Sequence, residues 1–144
     1  MTVTFENDNK QWIGEHTRRY YNDFHRKHIA PSRISKVVFE DIDMLHRCFA
    51  YDPDGNFRFI EYKWGHTTKE LKTAQSKSFQ RVNDACRDKK YYLGFFLIWS
   101  DIADFEHAKE ITINDVKVTM YELIDFLNFK LKKRIGSLWG CLND

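Results

Sequence analysis

Three side chains between residues 40 and 64 have the types and spacing for chemistry: Asp43, Glu61 and Lys63. Glu61 and Lys63 are two apart in Asn56-Phe57-Arg58-Phe59-Ile60-Glu61-Tyr62-Lys63-Trp64, a run rich in β-formers. On a strand both leave the same face. Charges among so many apolar neighbours are costly unless paired or bound to metal. Asp43 begins a second β-rich run, 44–51, and Asp52-Pro53-Asp54-Gly55 joins the two. That is strong turn chemistry, with Pro fixing φ and Gly accepting φ > 0. If the turn pairs Tyr51 with Phe57, Phe49 faces Phe59, Leu45 faces Lys63, and Asp43 lies one step beyond. All three charged groups then project from one side of the hairpin's open end, an arrangement that a one-residue slip would destroy. The same register sets Arg47 opposite Glu61, where a simple structural ion pair is the alternative. Two carboxylates converging on one point can hold a hard divalent ion such as Mg²⁺, which prefers oxygen ligands and keeps several waters. A Lys beside them can orient or deprotonate an attacking water, or stabilise charge developing on a phosphate. The chemistry expected is metal-assisted phosphodiester hydrolysis.

The elements that must position these groups are legible as patterns. A first helix is expected over about 8–27, with Asn7 and Asp8 as caps and a stripe of Trp12, His16, Tyr20 and Phe24. Pro31 and Ser32 break it. Val37-Val38-Phe39 then opens a β-rich region that continues into the hairpin. Thr67 or Thr68 can cap a second helix reaching about residue 88. Its stripe is Leu71, Gln75, Phe79, Val82 and Cys86, and the polar member, Gln75, must find a partner on a buried face. Residues 91–99 are almost continuously apolar and read as a central strand buried on both faces. A small hairpin is expected over 111–118, bending at Asn114-Asp115. A final helix is expected over about 119–133, with Tyr121, Ile124, Leu127 and Leu131 on its apolar face and Gly136 as its stop.

Composition sets the bounds. A chain of 144 residues, 42% apolar and 16% aromatic, fits one domain with a real core. Two Pro and six Gly exclude collagen-like or linker-like chains. No apolar run approaches the roughly 18–20 residues that span a bilayer, so no membrane association is expected. The start of the chain lacks the basic region and apolar stretch of a secretion signal. Three Cys make no disulfide framework, and each sits among apolar neighbours, where Cys usually packs. The expectation is a reduced, soluble, cytoplasmic protein. Lys and Arg number 23 against 21 Asp and Glu, so any nucleic-acid footprint must lie in distribution rather than in the sum. Two basic clusters qualify: Arg18, Arg19, Arg26 and Lys27, and Lys130, Lys132, Lys133 and Arg134. His46 and Cys48 share a strand face, but no second pair follows to complete a zinc site. No phosphate loop or dinucleotide fingerprint is present.

Asp43, a strand, a turn and Ile60-Glu61-Tyr62-Lys63 together resemble the PD-(D/E)XK nuclease superfamily. Glu61-Tyr62-Lys63 corresponds to its E-x-K element and Asp43 to its isolated acid. Glu40-Asp41-Ile42-Asp43-Met44-Leu45 is similar to the acid-Ile-Asp-apolar-apolar form of Holliday-junction-resolvase-like branches, which favours Asp43 over Asp41 as the ligand. The usual Pro-Asp pair is absent, Ile42 preceding Asp43. The resemblance implies an α/β (α+β), restriction-endonuclease-like core of helix, three-stranded meander, helix and strand over about 8–99. A C-terminal hairpin and helix would be appended over about 100–144, in a single domain of residues 1–144. It further implies a DNA endonuclease using Mg²⁺, with Mn²⁺ able to substitute, held by Asp43 and Glu61, with Lys63 acting on the water or the phosphate. Gln75 with Phe79 looks like the helix Gln and aromatic found near the catalytic Lys in several branches. Glu15 resembles an acid that approaches the metal in resolvase-like relatives, a solvated helix face being the alternative. Arg18, Arg19, Lys130, Lys132, Lys133 and Arg134 would grip the phosphate backbone. RNA remains an alternative substrate, and a two-fold homodimer built on the final helix with Leu138 and Trp139 would suit cutting of both strands. The rival expectation is a non-catalytic module that binds nucleic acid or protein on the same scaffold.

Overall fold

Alternating exposure along one edge strand and nearly continuous burial along the central one build the sheet beside which Asp43, Glu61 and Lys63 lie. A computed structural model describes residues 15–36, 42–48, 55–65, 71 and 73–144. The chain divides into two compact units, Met1–Phe39 and Glu40–Asp144. The first holds α1, Glu15–His28, and a single turn of helix, α2, Ser32–Ser35. The Pro31 carbonyl accepts from the Ile34 and Ser35 amides and starts that turn. Of the expected first helix, residues 8–14 lie outside the described residues, as does the Val37-Val38-Phe39 segment. Tyr20 and Phe24, read as an apolar stripe, are both exposed.

The second unit runs β1 (Met44–Cys48), β2 (Asn56–Trp64), α3 (Thr73–Cys86), β3 (Tyr92–Ser100), β4 (Ile111–Ile113), β5 (Val116–Val118) and α4 (Met120–Leu127). The five strands form one mixed sheet in the order β1-β2-β3-β4-β5. Only β2 and β3 are parallel, and α3 supplies the crossover such a pair requires. The central strand is β3, buried at every position except Leu93, as its apolar run predicts. One sheet face packs on α3, where Phe79 stacks on Phe95 at 5.1 Å. The other packs on α4, where Phe126 meets Phe96 edge-on at 5.1 Å. The largest core cluster joins Ile60, Phe96 and Ile98 to Ile111, Ile113, Val118, Leu123 and Phe126. The hairpin and helix after residue 100, expected as an appendage, thus complete the sheet and supply much of that core.

The β1–β2 register departs from expectation. Met44 pairs with Ile60, Leu45 with Phe59 and Arg47 with Phe57. Leu45 therefore faces Phe59 instead of Lys63, and Arg47 faces Phe57 instead of Glu61, a four-residue shift. Because the shift is even, every side chain keeps its face. The expected turn residues 52–54 lie outside the described residues. Gly55 has φ +71°, and a Cβ there would stand 2.3 Å from the Cys48 carbonyl oxygen, which accounts for glycine at that position.

Three further boundaries differ or hold for physical reasons. α3 begins at Thr73, so Leu71 precedes it; Thr67 and Thr68 lie outside the described residues. The 111–118 hairpin is as expected, with Asn114 and Asp115 both at positive φ, 47° and 65°, in the geometry that two-residue hairpin turns favour. α4 ends at Leu127 instead of residue 133. Its start is held by a capping box, in which Thr119 and Glu122 each accept the other's amide at 3.0 Å. Its end is a Schellman turn: Phe129, at φ 57°, donates to the Phe126 carbonyl and Lys130 to the Asp125 carbonyl. Buried residues are Leu123 and Phe126, while Tyr121 and Ile124, expected on the apolar face, are exposed.

β4 pairs only with the end of β3, so the chain beyond residue 135 covers the remaining edge. The Phe95 amide donates to Ser137 Oγ at 2.9 Å and the Leu138 amide to the Phe95 carbonyl at 2.9 Å. Gly94, at φ +118°, permits this approach, since a Cβ there would lie 2.2 Å from Ser137 Cβ. Asn83, fully buried, ties α3 to the same segment by donating to the Gly140 carbonyl at 2.9 Å and accepting from the Tyr92 hydroxyl at 2.6 Å. Trp139 packs against Phe95 at 5.5 Å between ring centres.

Candidate active site

Continuing the β1–β2 register by one residue sets Asp43 directly across from Glu61. Backbone and side chain then interlock. The Asp43 amide donates to Glu61 Oε2 at 3.2 Å, and the Tyr62 amide donates to Asp43 Oδ2 at 2.8 Å. Each carboxylate is thereby anchored to the strand of the other. Strand parity sends Lys63 to the same face, and its Nζ lies 3.8 Å from Glu61 Oε1. From α3, one turn before Phe79, Gln75 donates through Nε2 to the same Glu61 oxygen at 3.5 Å. The sequence-predicted quartet of Asp43, Glu61, Lys63 and Gln75 is therefore gathered around one carboxyl group.

The electrostatics are uneven. Glu61 is only 4% exposed, whereas Asp43 reaches solvent. Burial pushes the Glu61 carboxyl up to about 7; the amide and ammonium contacts pull the other way, and the nearby Asp43 charge adds to the rise. Such a pair gains from a cation. Gln75 Oε1 is buried and has no hydrogen-bond partner among the described residues, which leaves an amide oxygen unsatisfied on the side chain that meets Glu61. An all-oxygen donor set of this kind fits Mg²⁺ or Mn²⁺, with water completing the shell. Among the described residues no group of three or more His, Cys, Asp or Glu side chains gathers at a point, and Asp43 and Glu61 are the two carboxylates described there.

The other expected site residues lie elsewhere. Glu15 opens α1 in the first unit, and neither its side chain nor that of Arg18 is among those described; Arg19 is exposed on the same helix. Lys130, Lys132, Lys133 and Arg134 are exposed in the irregular segment after α4 instead of on a helix. Lys133 Nζ lies 3.2 Å from the Lys117 carbonyl and 3.9 Å from Glu122.

One charged residue was not singled out by pattern. Arg58 is 5% exposed on the opposite sheet face. Its Nε donates to His46 Nδ1 at 3.0 Å, and its guanidinium lies 3.6 Å from the Phe126 ring centre and 4.0 Å from that of Phe129. Burial, with the neighbouring Arg58 charge, holds His46 down to about 4, so the imidazole stays neutral and accepts. The signal was parity: Arg58 shares a face with Ile60 and Tyr62, where a charge must be accommodated.

No protein-family model, no curated protein and no solved structure matches this chain. Among the described residues no helix is long and apolar enough to cross a membrane.

Proposed function

We propose that this chain is a metal-dependent DNA endonuclease of the PD-(D/E)XK kind, hydrolysing phosphodiester bonds. The observation that carries the reading is the cross-strand clamp of Asp43 and Glu61 with Lys63 and Gln75 on the same carboxylate. The order of hairpin, crossover helix and parallel central strand is compatible with the core that the resemblance implies. Asp43 and Glu61 would hold Mg²⁺, or Mn²⁺ in its place, and that ion would supply Lewis-acid polarisation of the scissile phosphate. Lys63 would orient the attacking water or offset charge on the phosphate oxygens. Gln75 acts as a positioning residue through Glu61. The basic segment of Lys130, Lys132, Lys133 and Arg134 offers phosphate contacts whose strength should fall with salt.

The test is incubation of purified protein with supercoiled, linear, single-stranded and branched DNA. Cutting is expected with Mg²⁺ or Mn²⁺ and not with EDTA, and a folded Lys63→Ala protein should cut at least about a hundredfold more slowly. Wild-type protein that leaves every substrate intact overturns the proposal. Retardation of DNA in a gel without cutting would assign the chain to the rival class, a binding module.

A further inference from the structure

Arg58 is a buried cation for which no carboxylate partner exists among the described residues. Two of its nitrogens are committed, Nε to His46 Nδ1 and Nη2 to the Phe126 carbonyl. Nη1 makes no hydrogen bond among the described residues. His46 accepts through Nδ1 and brings no charge. The carbonyl end of α4 offers roughly half a negative charge at most. The remaining positive charge faces a cavity of about 290 Å³ lined by Asn56, Arg58, Phe129, Lys133, Arg134 and Asn143. Asp144 also borders it, a negative charge whose two oxygens accept from the Ser137 and Cys141 amides at 2.9 and 2.8 Å. Arg134 has no ion pair or hydrogen bond among the described residues. The cavity lies on the α4 side of the sheet, whereas Glu61 faces α3.

A buried guanidinium against two aromatic rings, with the exposed Arg134 also lining the cavity, matches the way phosphoryl groups are recognised. Planar, pre-oriented donors bind phosphate oxygens in pairs, and desolvation strengthens the contact. The volume is near the small end of ligand pockets, which run to about 300–1,000 Å³. The Phe129 ring supplies an apolar wall beside the charged floor. We infer that this cavity is a binding site for a small phosphorylated ligand, its phosphoryl group held by Arg58 and Arg134, separate from the carboxylate site across the sheet.

Calorimetric titration of the full-length protein in EDTA, with inorganic phosphate and with adenosine 5′-monophosphate, tests this. Removing divalent metal keeps Asp43 and Glu61 from recruiting phosphate, so the outcome is independent of nuclease activity. Saturable binding of at least one probe is expected, weakened about tenfold by Arg134→Ser and unchanged by Lys109→Ser. Tighter binding of the nucleotide would place its base against Phe129; equal binding would assign the site to the phosphoryl group alone. Arg58→Gln should abolish binding if the variant folds, and Arg134→Ser, at an exposed position, decides the matter if it does not. Absence of saturable binding of both probes at 10-millimolar order, or binding indifferent to Arg134→Ser, overturns the inference.

Discussion

Asp43 and Glu61 stand opposite each other at the end of the β1–β2 pair, and each carboxylate accepts a backbone amide from the other segment, Glu61 from Asp43 and Asp43 from Tyr62. This pins the exposed acid to the buried one, and it has measurable consequences.

Glu61 should make metal-free protein pH-sensitive. Its carboxyl rises from 4.5 to about 7 on folding. A raised acid stabilises the fold fully below its unfolded value, and that contribution is lost as pH climbs through about 7. Glu61→Gln removes the group. The variant's stability relative to wild type should therefore grow by on the order of 2 kcal/mol between pH 4.5 and 7. Urea denaturation across that range reads the difference, and a flat difference curve would contradict it.

Protons and metal should compete for the same carboxyl. Mn²⁺ affinity is expected to rise with pH up to about 7 and then level off, with proton release on binding below that point. Titration calorimetry in two buffers of different ionisation enthalpy measures the release. Asp43→Ala should abolish the binding.

Lys63→Ala should uncouple catalysis from folding. The side chain is only about a quarter exposed and meets the buried Glu61 carboxyl, so its loss should cost about 1–3 kcal/mol and leave the protein folded. Cleavage should fall by roughly 10²–10³, the scale of losing one charge-stabilising donor. A variant that is folded and still cuts at the wild-type rate removes Lys63 from the chemistry.

Gln75→Leu should separate stability from metal use. Replacing a side chain whose Oε1 is buried and unpartnered should cost little or stabilise metal-free protein by about 1 kcal/mol. The Mg²⁺ concentration for half-maximal cleavage should nevertheless rise about 10–100-fold, as for lost partners of metal ligands.

Asn83→Ala tests the stitching of the C-terminal segment. It would strip partners from the Tyr92 hydroxyl and the Gly140 carbonyl and leave a small void. A loss of about 2–4 kcal/mol is expected in thermal or chemical unfolding.

Much of this architecture could be read before any coordinates. Period-two alternation placed Glu61 and Lys63 on one face, the apolar run at 91–99 marked the central strand, and Asn114-Asp115 marked a hairpin turn. The pairing of β1 with β2 could not be read, because a four-residue shift leaves every side chain on its original face and binary patterning does not distinguish the two registers. The face of α4 was equally ambiguous. Met120, Tyr121, Leu123, Ile124, Phe126 and Leu127 surround a short helix with apolar groups, so periodicity alone selects no side. Residues 130–134 have good helix propensity, yet the helix ends before them at Asn128 and Phe129, whose ring packs over Arg58 and His46.

Residue types, strand parity and helical spacing, together with the resemblance they carry, were enough to nominate Asp43, Glu61, Lys63 and Gln75, since those properties are local. Which residues face one another, how deeply Glu61 is buried and where Arg58 finds room were decided only by strands and helices closing on a shared core. Those are properties of packing between segments distant in sequence, and no local propensity encodes them.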